Sequence, residues 1–199
     1  NNEFIFGDIR DYDSVTKATK NVDAVIHLAA LIGIPYSYYS PMAYIRTNVE
    51  GSYNVLESAR NNNVEQIIIT STSEVYSETL EKKLARYPTP ENVDFLISKD
   101  FNSRSAYLLS KIVGEYLINH SKLNFVIFRP HNIFGPDMGF SHVIPQLTKK
   151  ILSKKNKNIF IANSHHKRTF CYIDFAIELI LKISLDKNSK KKIYNIGSP

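Results

Sequence analysis

The sequence predicts an α/β fold in which helices cover both faces of a parallel sheet. Short apolar runs alternate with stretches of helical periodicity along the chain. The apolar runs are continuous, which is typical of parallel strands that are buried on both faces. Small and polar residues follow several runs directly. Ligands of open parallel sheets bind at this end of the strands, so these residues are the first candidates for a site.

The first third of the chain predicts two strands and two helices. The apolar run at 4–6 is typical of a strand, and a helical pattern over 13–20 follows it. The run AVIHL at 24–28 predicts a buried strand. Ser40-Pro41 is an N-cap followed by proline at the first helical position. A long helix is therefore predicted over 41–62, where a run of asparagines ends it.

The remaining elements continue the alternation. The β-branched run at 66–70 predicts a central strand, and shorter apolar runs predict strands at 125–128 and 193–196. Apolar residues at helical spacing predict the helices, which span 105–121, 142–152 and 173–185. The charged, proline-bearing stretch 77–104 predicts an irregular excursion of the kind that often carries function.

The composition is that of an ordinary globular chain. Its 199 residues are 43% hydrophobic and 22% charged, which excludes a mostly disordered or collagen-like protein. No apolar run reaches the roughly 18 residues of a membrane helix. One cysteine, Cys171, excludes an internal disulfide framework and indicates either a reducing compartment or a fold that does not depend on the redox state of its surroundings. We therefore expect a cytoplasmic protein with no membrane partner.

The formal net charge of +6 comes with lysines that cluster late in the chain. Neither cluster is interleaved with aromatic residues as in single-strand binders, so we expect solvated surface and no nucleic-acid partner. His165-His166 has no further ligand at a useful spacing, so we expect no metal site. The clustered lysines are Lys149, Lys150, Lys154, Lys155, Lys157, Lys187, Lys190, Lys191 and Lys192.

Two features suggest chemistry. Tyr107 and Lys111 are four residues apart, so they share one face of the predicted helix. An ammonium near a phenol lowers the pKa of the phenol and makes it a general base. Such a pair is expected by chance in a chain with 12 tyrosines, so its context decides. That context is Thr70-Ser71-Thr72-Ser73-Glu74, directly after the central strand, where a hydroxyl could bind the same substrate oxygen.

Seven segments in order resemble the extended short-chain dehydrogenase/reductase family, and within it the nucleotide-sugar epimerases, dehydratases and decarboxylases. The segments, found between Gly7 and Gly197, are GDIRD, VIHLAA, TNVEGSYNVLESAR, TSTSEVY, SAYLLSK, FRPHNIFGP and RTFCYIDFA. The resemblance implies a Rossmann-like doubly wound parallel sheet. It also implies tightly bound NAD, a nucleotide-diphosphate sugar as substrate, and a homodimer formed through the helices at 41–62 and 105–121.

The resemblance also implies roles for individual residues. Tyr107 is the catalytic base, Lys111 holds the nicotinamide ribose and lowers the pKa of the tyrosine, and Thr72 is the catalytic hydroxyl. On the substrate side, Asn132 faces the substrate and Arg168 grips the diphosphate, for which bidentate guanidinium pairing supplies the reason. The other residues implied to contact NAD or to support its site are Asp8, Ile9, Leu28, Ala29, Ala30, Asn48, Thr70, Pro130 and His131.

Ser73 and Glu74 refine the subclass. Simple 4-epimerases of the family usually have small residues here, whereas a Thr-Ser-Glu triplet resembles 4,6-dehydratases and UDP-glucuronate decarboxylases. We therefore expect dehydration or decarboxylation after transient oxidation at C4. A plain 4-epimerase, in which Glu74 is dispensable, stays open as an alternative. A noncatalytic nucleotide-binding or regulatory protein of the same fold is the alternative from another class.

The chain also departs from the family pattern. Its seven glycines form neither GxxGxxG nor GxGxxG, the phosphate-binding turn of the family. We therefore expect a sheet that lacks its first βαβ portion, in a chain truncated at both ends. Residues 1–130 would be a partial NAD-binding domain, and 131–199 would contribute substrate-lobe elements before returning to the sheet. Alone, this chain is expected to bind NAD weakly, to be poorly soluble and to be inactive.

Three substitutions within the matching segments put the sugar pocket in doubt. Ser77 replaces the glycine usual after the VY pair, and Leu108-Leu109 replaces small residues between Tyr107 and Lys111. His131 replaces a more usual aromatic or hydrophobic residue.

Overall fold

The computed structural model describes residues 3–32, 34–100, 105–153, 161 and 168–198. The described strands, in chain order, are β1 (Ala24–His27), β2 (Gln66–Thr70), β3 (Phe125–Pro130), β4 (Ile133–Phe134), β5 (Cys171–Tyr172) and β6 (Lys192–Ile196). Four of them form a parallel sheet in the order β1–β2–β3–β6, and β4 pairs with β5 in a second parallel sheet. The predicted strands at 24–28, 66–70, 125–128 and 193–196 are thus confirmed.

The helices follow the predicted periodicity. They are α1 (Tyr12–Ala18), α2 (Ile34–Ser37), α3 (Pro41–Tyr44), α4 (Gly51–Asn61), α5 (Ser77–Glu81), α6 (Ser105–His120), α7 (Val143–Ser153) and α8 (Ile173–Leu185). Short 3₁₀ turns span Ser73–Tyr76 and Lys187–Ser189. None of the described helices is long and apolar enough to cross a membrane.

Both faces of the main sheet are covered. Ile67 and Ile69 of β2 belong to a core that includes α1, α4 and α6, whereas Ile68 between them packs into a second core with Ala176 of α8. A parallel strand with two buried faces needs apolar residues at every position, which is why β2 is a continuous apolar run. Each such fully buried side chain contributes roughly 1.5–3 kcal/mol.

The long helix predicted over 41–62 is interrupted in its middle. Pro41 occupies its first turn as predicted, although the Ser40 side chain makes no capping hydrogen bond. Between α3 and α4, Ile45–Glu50 form a π-helical segment. This segment contains Asn48, which is 2% exposed, so the irregularity coincides with a buried polar side chain.

The strand predicted at 4–6 is wrong. Phe4 and Phe6 are 89% and 93% exposed, and the backbone there is neither strand nor helix. A segment forms a β-strand only when it pairs with another strand. Among the described residues β1 pairs with β2 alone, so the segment 4–6 has no pairing partner. The regular structure begins instead at Asp11, whose side chain caps α1 by accepting the Asp13 N–H.

The excursion predicted at 77–104 begins with α5 and is otherwise irregular over its described part, 82–100. It is held to the domain by hydrogen bonds. The Thr79 hydroxyl donates to the Asp94 carbonyl at 2.9 Å and accepts the Leu96 N–H at 3.1 Å. The segment therefore folds back over α5, next to the carboxyl ends of the strands.

Candidate active site

Tyr107 and Lys111 lie one turn apart on α6, where that helix crosses the end of β2. Tyr107 is 8% exposed, and its ring packs edge-on against Tyr44 with 6.3 Å between the ring centroids. The Lys111 ammonium donates to the Thr70 carbonyl at 2.8 Å. Both predicted residues are therefore fixed at the carboxyl end of the sheet.

The hydroxyl and carboxyl candidates after β2 lie beside Tyr107. Thr72 precedes the 3₁₀ turn, and its hydroxyl accepts the Glu74 N–H at 3.2 Å. The same side chain lies within hydrogen-bonding reach of the Tyr107 phenol, and the Glu74 carboxylate acts on that phenol electrostatically. Ser73 opens the turn between them. The structure thus brings Thr72, Glu74 and Tyr107 together.

The pKa of Tyr107 is shifted in the direction opposite to the expected one, in which Lys111 lowers it. Burial raises the pKa of the Tyr107 phenol above 10, the hydrogen bond with Thr72 opposes the rise, and the charge of Glu74 adds to it. The physical reason is that desolvation disfavours the phenolate, while the Lys111 ammonium is held on the Thr70 carbonyl. The phenol is therefore protonated at neutral pH.

Burial also acts on Lys111 itself. Desolvation lowers the pKa of the Lys111 ammonium from 10.5 to about 8, and the Glu115 carboxylate one turn later opposes this shift. Lys111 acts in turn on His27 at the end of β1. Burial and, to a lesser extent, the Lys111 charge lower the pKa of His27 to about 4, so this imidazole is neutral at pH 7.

Asn48 connects the loop after β1 to the helix that carries Tyr107. Its side chain accepts the Leu31 N–H at 2.8 Å and donates to the Leu31 carbonyl at 3.0 Å. It also donates to the Ser110 hydroxyl at 3.0 Å, which donates to the Tyr107 carbonyl at 2.7 Å. This geometry is consistent with the supporting role expected for Asn48.

Asp8 and Ile9, which the resemblance implies at the NAD site, lie near the start of the described chain. Asp8 is exposed and forms an ion pair with Arg10 at 2.5 Å, which lowers the pKa of the Asp8 carboxyl to about 2. Ile9 packs against Gly51 of α4, where a Cβ would lie 2.6 Å from the isoleucine side chain. A larger residue at Gly51 would force the Ile9 side chain to move, and the Asn54 amide of α4 donates to the Ile9 carbonyl at 3.0 Å, which holds this backbone against the helix.

The set of residues at this end of the sheet fits a dinucleotide. Leu28 and Ala29 are exposed at the carboxyl end of β1, and Ala30 is half-buried, so the two small alanine side chains leave room for a ligand beside the main chain. Lys111 is a half-buried cation with three N–H donors, one of which Thr70 uses. Such a donor suits ribose hydroxyls, which supports NAD as the ligand.

The segment after β3 contacts Thr169, the residue that follows the predicted diphosphate-binding arginine. Pro130 ends β3, paired with Ile196 of β6. Asn132, expected to face the substrate, donates its amide to the Thr169 carbonyl at 2.8 Å. This bond connects Asn132 to the segment 168–170, which precedes β5 and carries Arg168. The Arg168 side chain is exposed. The bond to Thr169 uses one amide N–H of the exposed Asn132 side chain and leaves its second N–H and its oxygen available.

His131 is clamped between neighbouring elements. Its ring stacks on Tyr76 at 6.4 Å, and Gly197 packs so closely that a Cβ there would lie 3.3 Å from the His131 Cβ. Burial lowers the pKa of His131, and the Asn195 side chain opposes this. Its Nε2 is buried with no hydrogen-bond partner among the described residues.

A buried ion pair beneath the site was not anticipated from the sequence. Arg129 of β3 donates from Nε and Nη2 to the two carboxylate oxygens of Glu115, at 2.9 and 2.6 Å. Both side chains are nearly inaccessible, with 2% and 4% exposure. The Ser71 hydroxyl donates to Glu115 Oε1 at 2.5 Å. The signal was present in the sequence, because Arg129 is a charge at the end of an apolar strand.

Among the described residues there is no cluster of three or more His, Cys, Asp or Glu side chains that could hold a metal ion. His165-His166, considered above, lies outside those residues.

The sequence is similar to those of known nucleotide-sugar enzymes. Over 204 residues the chain is 28% identical to dTDP-D-glucose 4,6-dehydratase from Dictyostelium discoideum, covering all of this chain and 46% of that protein. It is 29% identical over 196 residues to UDP-N-acetyl-alpha-D-glucosaminuronate decarboxylase from Bacillus cytotoxicus, covering 96% and 58%.

Among solved structures, the model superimposes on UDP-N-acetylglucosamine 4-epimerase from Methanobrevibacter ruminantium in complex with UDP-N-acetylmuramic acid. The TM-score is 0.78 at 26% identity, covering 96% of this chain and 59% of that one. The chain thus spans about half the length of the proteins that it matches.

The family model described as "NAD dependent epimerase/dehydratase family" matches residues 1–197. Together with the parallel sheet and the grouping of Tyr107, Thr72 and Lys111 at its carboxyl end, this match identifies the chain as a member of the NAD-dependent epimerase/dehydratase family.

Proposed function

We propose that the full-length protein is an NAD-dependent enzyme that dehydrates or decarboxylates a nucleotide-diphosphate sugar after transient oxidation at C4. One observation carries this proposal. Thr72, Glu74 and Tyr107 lie side by side at the carboxyl end of β2, which provides one hydroxyl, one carboxylate and one phenol for a single substrate. The dehydratase and decarboxylase among the relatives support the same branch.

In this proposal Tyr107 takes the proton from the C4 hydroxyl, while Thr72 hydrogen-bonds the same oxygen. NAD, when bound, supplies the hydride acceptor and a positive charge that favours the phenolate. Lys111 orients the nicotinamide ribose with the ammonium hydrogens that the Thr70 carbonyl leaves available. The residues proposed to contact NAD or to support its site are Asp8, Ile9, Leu28, Ala29, Ala30, Asn48, Thr70, Tyr107, Lys111, Pro130 and His131.

Glu74 is proposed to act after oxidation. A ketone at C4 acidifies the C5–H bond, and the Glu74 carboxylate can remove that proton and pass it to the C6 hydroxyl, which leaves as water. Return of the hydride to C6 and of a proton to C5 then gives the 4-keto sugar and restores the oxidised cofactor. In a decarboxylase, the same ketone takes up the electron pair that is released when the C5 carboxylate leaves as carbon dioxide. Ser73 can hydrogen-bond the sugar beside Glu74. Arg168 is proposed to bind the diphosphate, with Asn132 holding the segment that presents it.

The proposal is tested with the full-length protein, NAD, and UDP-, GDP- and dTDP-sugars, followed by mass spectrometry and NMR of the products. A 4-keto sugar formed by loss of water, or a pentose formed by loss of carbon dioxide, is the expected result. Tyr107→Phe should abolish it, and Tyr116→Phe, on the exposed side of the same helix, should not. Absence of both turnover and NAD binding in the wild type would contradict the proposal.

A 4-epimerase is the second candidate, favoured by the similarity to a 4-epimerase structure. Tyr107, Thr72 and Lys111 serve that reaction equally well, because C4 oxidation is common to all branches. Products that differ from the substrate only in C4 configuration would select it over the first candidate.

We also propose a homodimer, formed through an apolar groove between the long helix and α6. The groove measures about 510 Å³ and is lined by Met42, Ile45, Arg46, Val49, Glu50, Tyr53 and Leu117. Met42 and Tyr53 are 59% and 50% exposed, and a second copy would cover them. Met42→Glu should give a monomer in analytical ultracentrifugation, whereas Leu152→Glu, at an exposed position outside the groove, should leave the dimer intact.

Two further assignments belong to this proposal. Residues 1–130 form the NAD-binding part, and 131–199 add elements toward a substrate lobe before returning to the sheet as β6. The enzyme is cytoplasmic, because NAD and nucleotide sugars are supplied there. Fractionation of the native host tests the location.

A further inference from the structure

The strongest unassigned feature is the buried polar network beneath the candidate site. Glu115 and Arg129 form its centre, each almost fully enclosed. Burying two charges costs free energy that their mutual attraction only partly returns. Replacement by apolar residues would often stabilise such a position, so stability alone is a weak explanation for the pair.

The network also contacts the 3₁₀ turn after β2 and the irregular segment at 82–100. Arg129 Nη1 donates to the Tyr76 hydroxyl at 2.5 Å and to the Glu91 carbonyl at 2.9 Å. Its guanidinium carbon lies 5.0 Å from the Tyr76 ring centroid and 4.9 Å from that of Phe95. With both rings and four acceptors around it, the arginine has no freedom to move and serves as a fixed point.

Glu115 connects the fixed Arg129 to the candidate site. It lies one turn after Lys111 on α6, so the two side chains share a face of the helix. Its Oε1 accepts the Ser71 hydroxyl. Ser71 lies between Thr70, whose carbonyl accepts the Lys111 ammonium, and Thr72, which approaches the Tyr107 phenol.

We propose that Glu115 is a positioning residue: held by Arg129, it fixes Ser71, and thereby the Thr70 carbonyl for Lys111 and the Thr72 hydroxyl for Tyr107. This inference rests on the proposed function and extends it to residues that touch neither substrate nor cofactor. The carboxylate also faces Lys111 as the nearest negative charge on its helix and favours its protonated form.

The charges around Lys111 set the expected pH effect. Among the described residues, the titratable groups that act with it are Glu115 on its own helix and His27 on β1, while β2 contributes the uncharged Thr70 carbonyl. His27 is neutral above about pH 4. Removing the Glu115 charge should therefore lower the pKa of Lys111 below about 8 and leave Arg129 as an unpaired cation that acts in the same direction.

The test compares three variants of the full-length protein. Ser71→Ala removes one hydroxyl and keeps the ion pair, and Glu115→Gln removes the charge and keeps the shape. Ser58→Ala is the matched control, because Ser58 is also fully buried and its hydroxyl pairs with Thr16 at 2.9 Å, away from the site. Lys111 is titrated in the cofactor-free protein by NMR after isotopic methylation of its amine, and kcat and KM are measured across pH.

In Ser71→Ala and Glu115→Gln we expect kcat to fall on the order of tenfold or more, since small displacements of reacting groups have effects of this size. KM for the sugar should change little. In Glu115→Gln the Lys111 titration and the basic limb of the pH profile should move to lower pH, and Ser58→Ala should match the wild type.

Two outcomes would overturn the inference. One is a folded Glu115→Gln protein with wild-type kcat and an unshifted Lys111 titration. The other, which applies even if Glu115→Gln does not fold, is a Ser71→Ala protein that cannot be distinguished from Ser58→Ala. The NMR titration requires no turnover, so an unshifted Lys111 signal counts against this inference, whereas an inactive wild type counts against the proposed function.

Discussion

The Thr72 side chain after β2 acts on the Tyr107 phenol of α6 and offsets part of the rise that burial causes in the pKa of that phenol. Neither residue could be placed against the other by local structure, because one follows a strand and the other lies within a helix. The fold brings the two residues together, and the effect of Thr72 on the pKa of Tyr107 can be measured.

Thr72→Val should raise the pKa of Tyr107 further, because the variant removes the hydrogen bond that favours the phenolate. Thr72→Ser should retain the wild-type value. The measurement is NMR of tyrosine labelled at Cζ, with the Tyr107 signal assigned through Tyr107→Phe. The two Thr72 variants should also differ in kcat by about ten- to a hundredfold. Equal titration curves for valine and serine would show that the hydroxyl does not act on the phenol.

Glu74→Gln should abolish product formation by a dehydratase and leave C4 oxidation intact. Loss of a general base lowers the rate by about 10² to 10⁴, and exchange of the C5 proton with deuterated water should fall with it. Glu78→Gln, one turn further along in α5, is the matched control. A Glu74→Gln enzyme with an unchanged rate would favour the 4-epimerase.

The pH dependence of stability should carry the signature of His27. Its folded-state pKa of about 4 lies below the unfolded value of 6.5, so between these values the unfolded chain binds more protons. Stability from this group is therefore complete above about pH 6.5 and is lost as the pH falls toward 4. His27→Gln keeps a polar partner for the Ser52 hydroxyl and should flatten this part of the curve of Tm against pH. His120→Gln, at an exposed position, should reproduce the wild-type curve.

Arg129→Met should destabilise the fold by about 3–5 kcal/mol, because it leaves the Glu115 carboxylate buried without a partner. Arg60→Ala breaks an ion pair with Glu57 on the surface of α4, and a loss of about 0–1 kcal/mol is expected there. Urea unfolding of both variants measures the contrast. The double variant Arg129→Met/Glu115→Leu should recover part of the loss, and a further additive loss would contradict the desolvation argument.

The sheet could be predicted because burial on both faces imposes a local pattern on the sequence of each central strand. A strand with two buried faces must be apolar throughout, and β2 was predicted at 66–70, the residues that it occupies. The apolar run at 4–6 carries the same local signal without a pairing partner among the described residues. Local composition predicts that a segment can form a strand, and only the rest of the fold decides whether it does.

The grouping of the site candidates could be predicted from the sequence, but their electrostatics could not. Thr72 and Glu74 follow a central strand, and the family resemblance places Tyr107 on a helix beside that strand end. The pKa of Tyr107 depends on how deeply its ring is buried and on where the Lys111 ammonium is held. Both depend on tertiary packing, as does the choice of Glu115 as the partner of Arg129.

The π-helical segment at Ile45–Glu50 gives the long helix a place where a change in its length can be absorbed. A π turn holds one residue more than an α turn, so deleting one residue there can return the segment to α-helical winding while Tyr44 and Tyr53 stay on the same faces of the helix. A deletion within α4 has no extra residue to remove, and it would rotate everything before it by about 100°. Single-residue deletions at exposed positions of Ile45–Glu50 should therefore be tolerated better than deletions within α4.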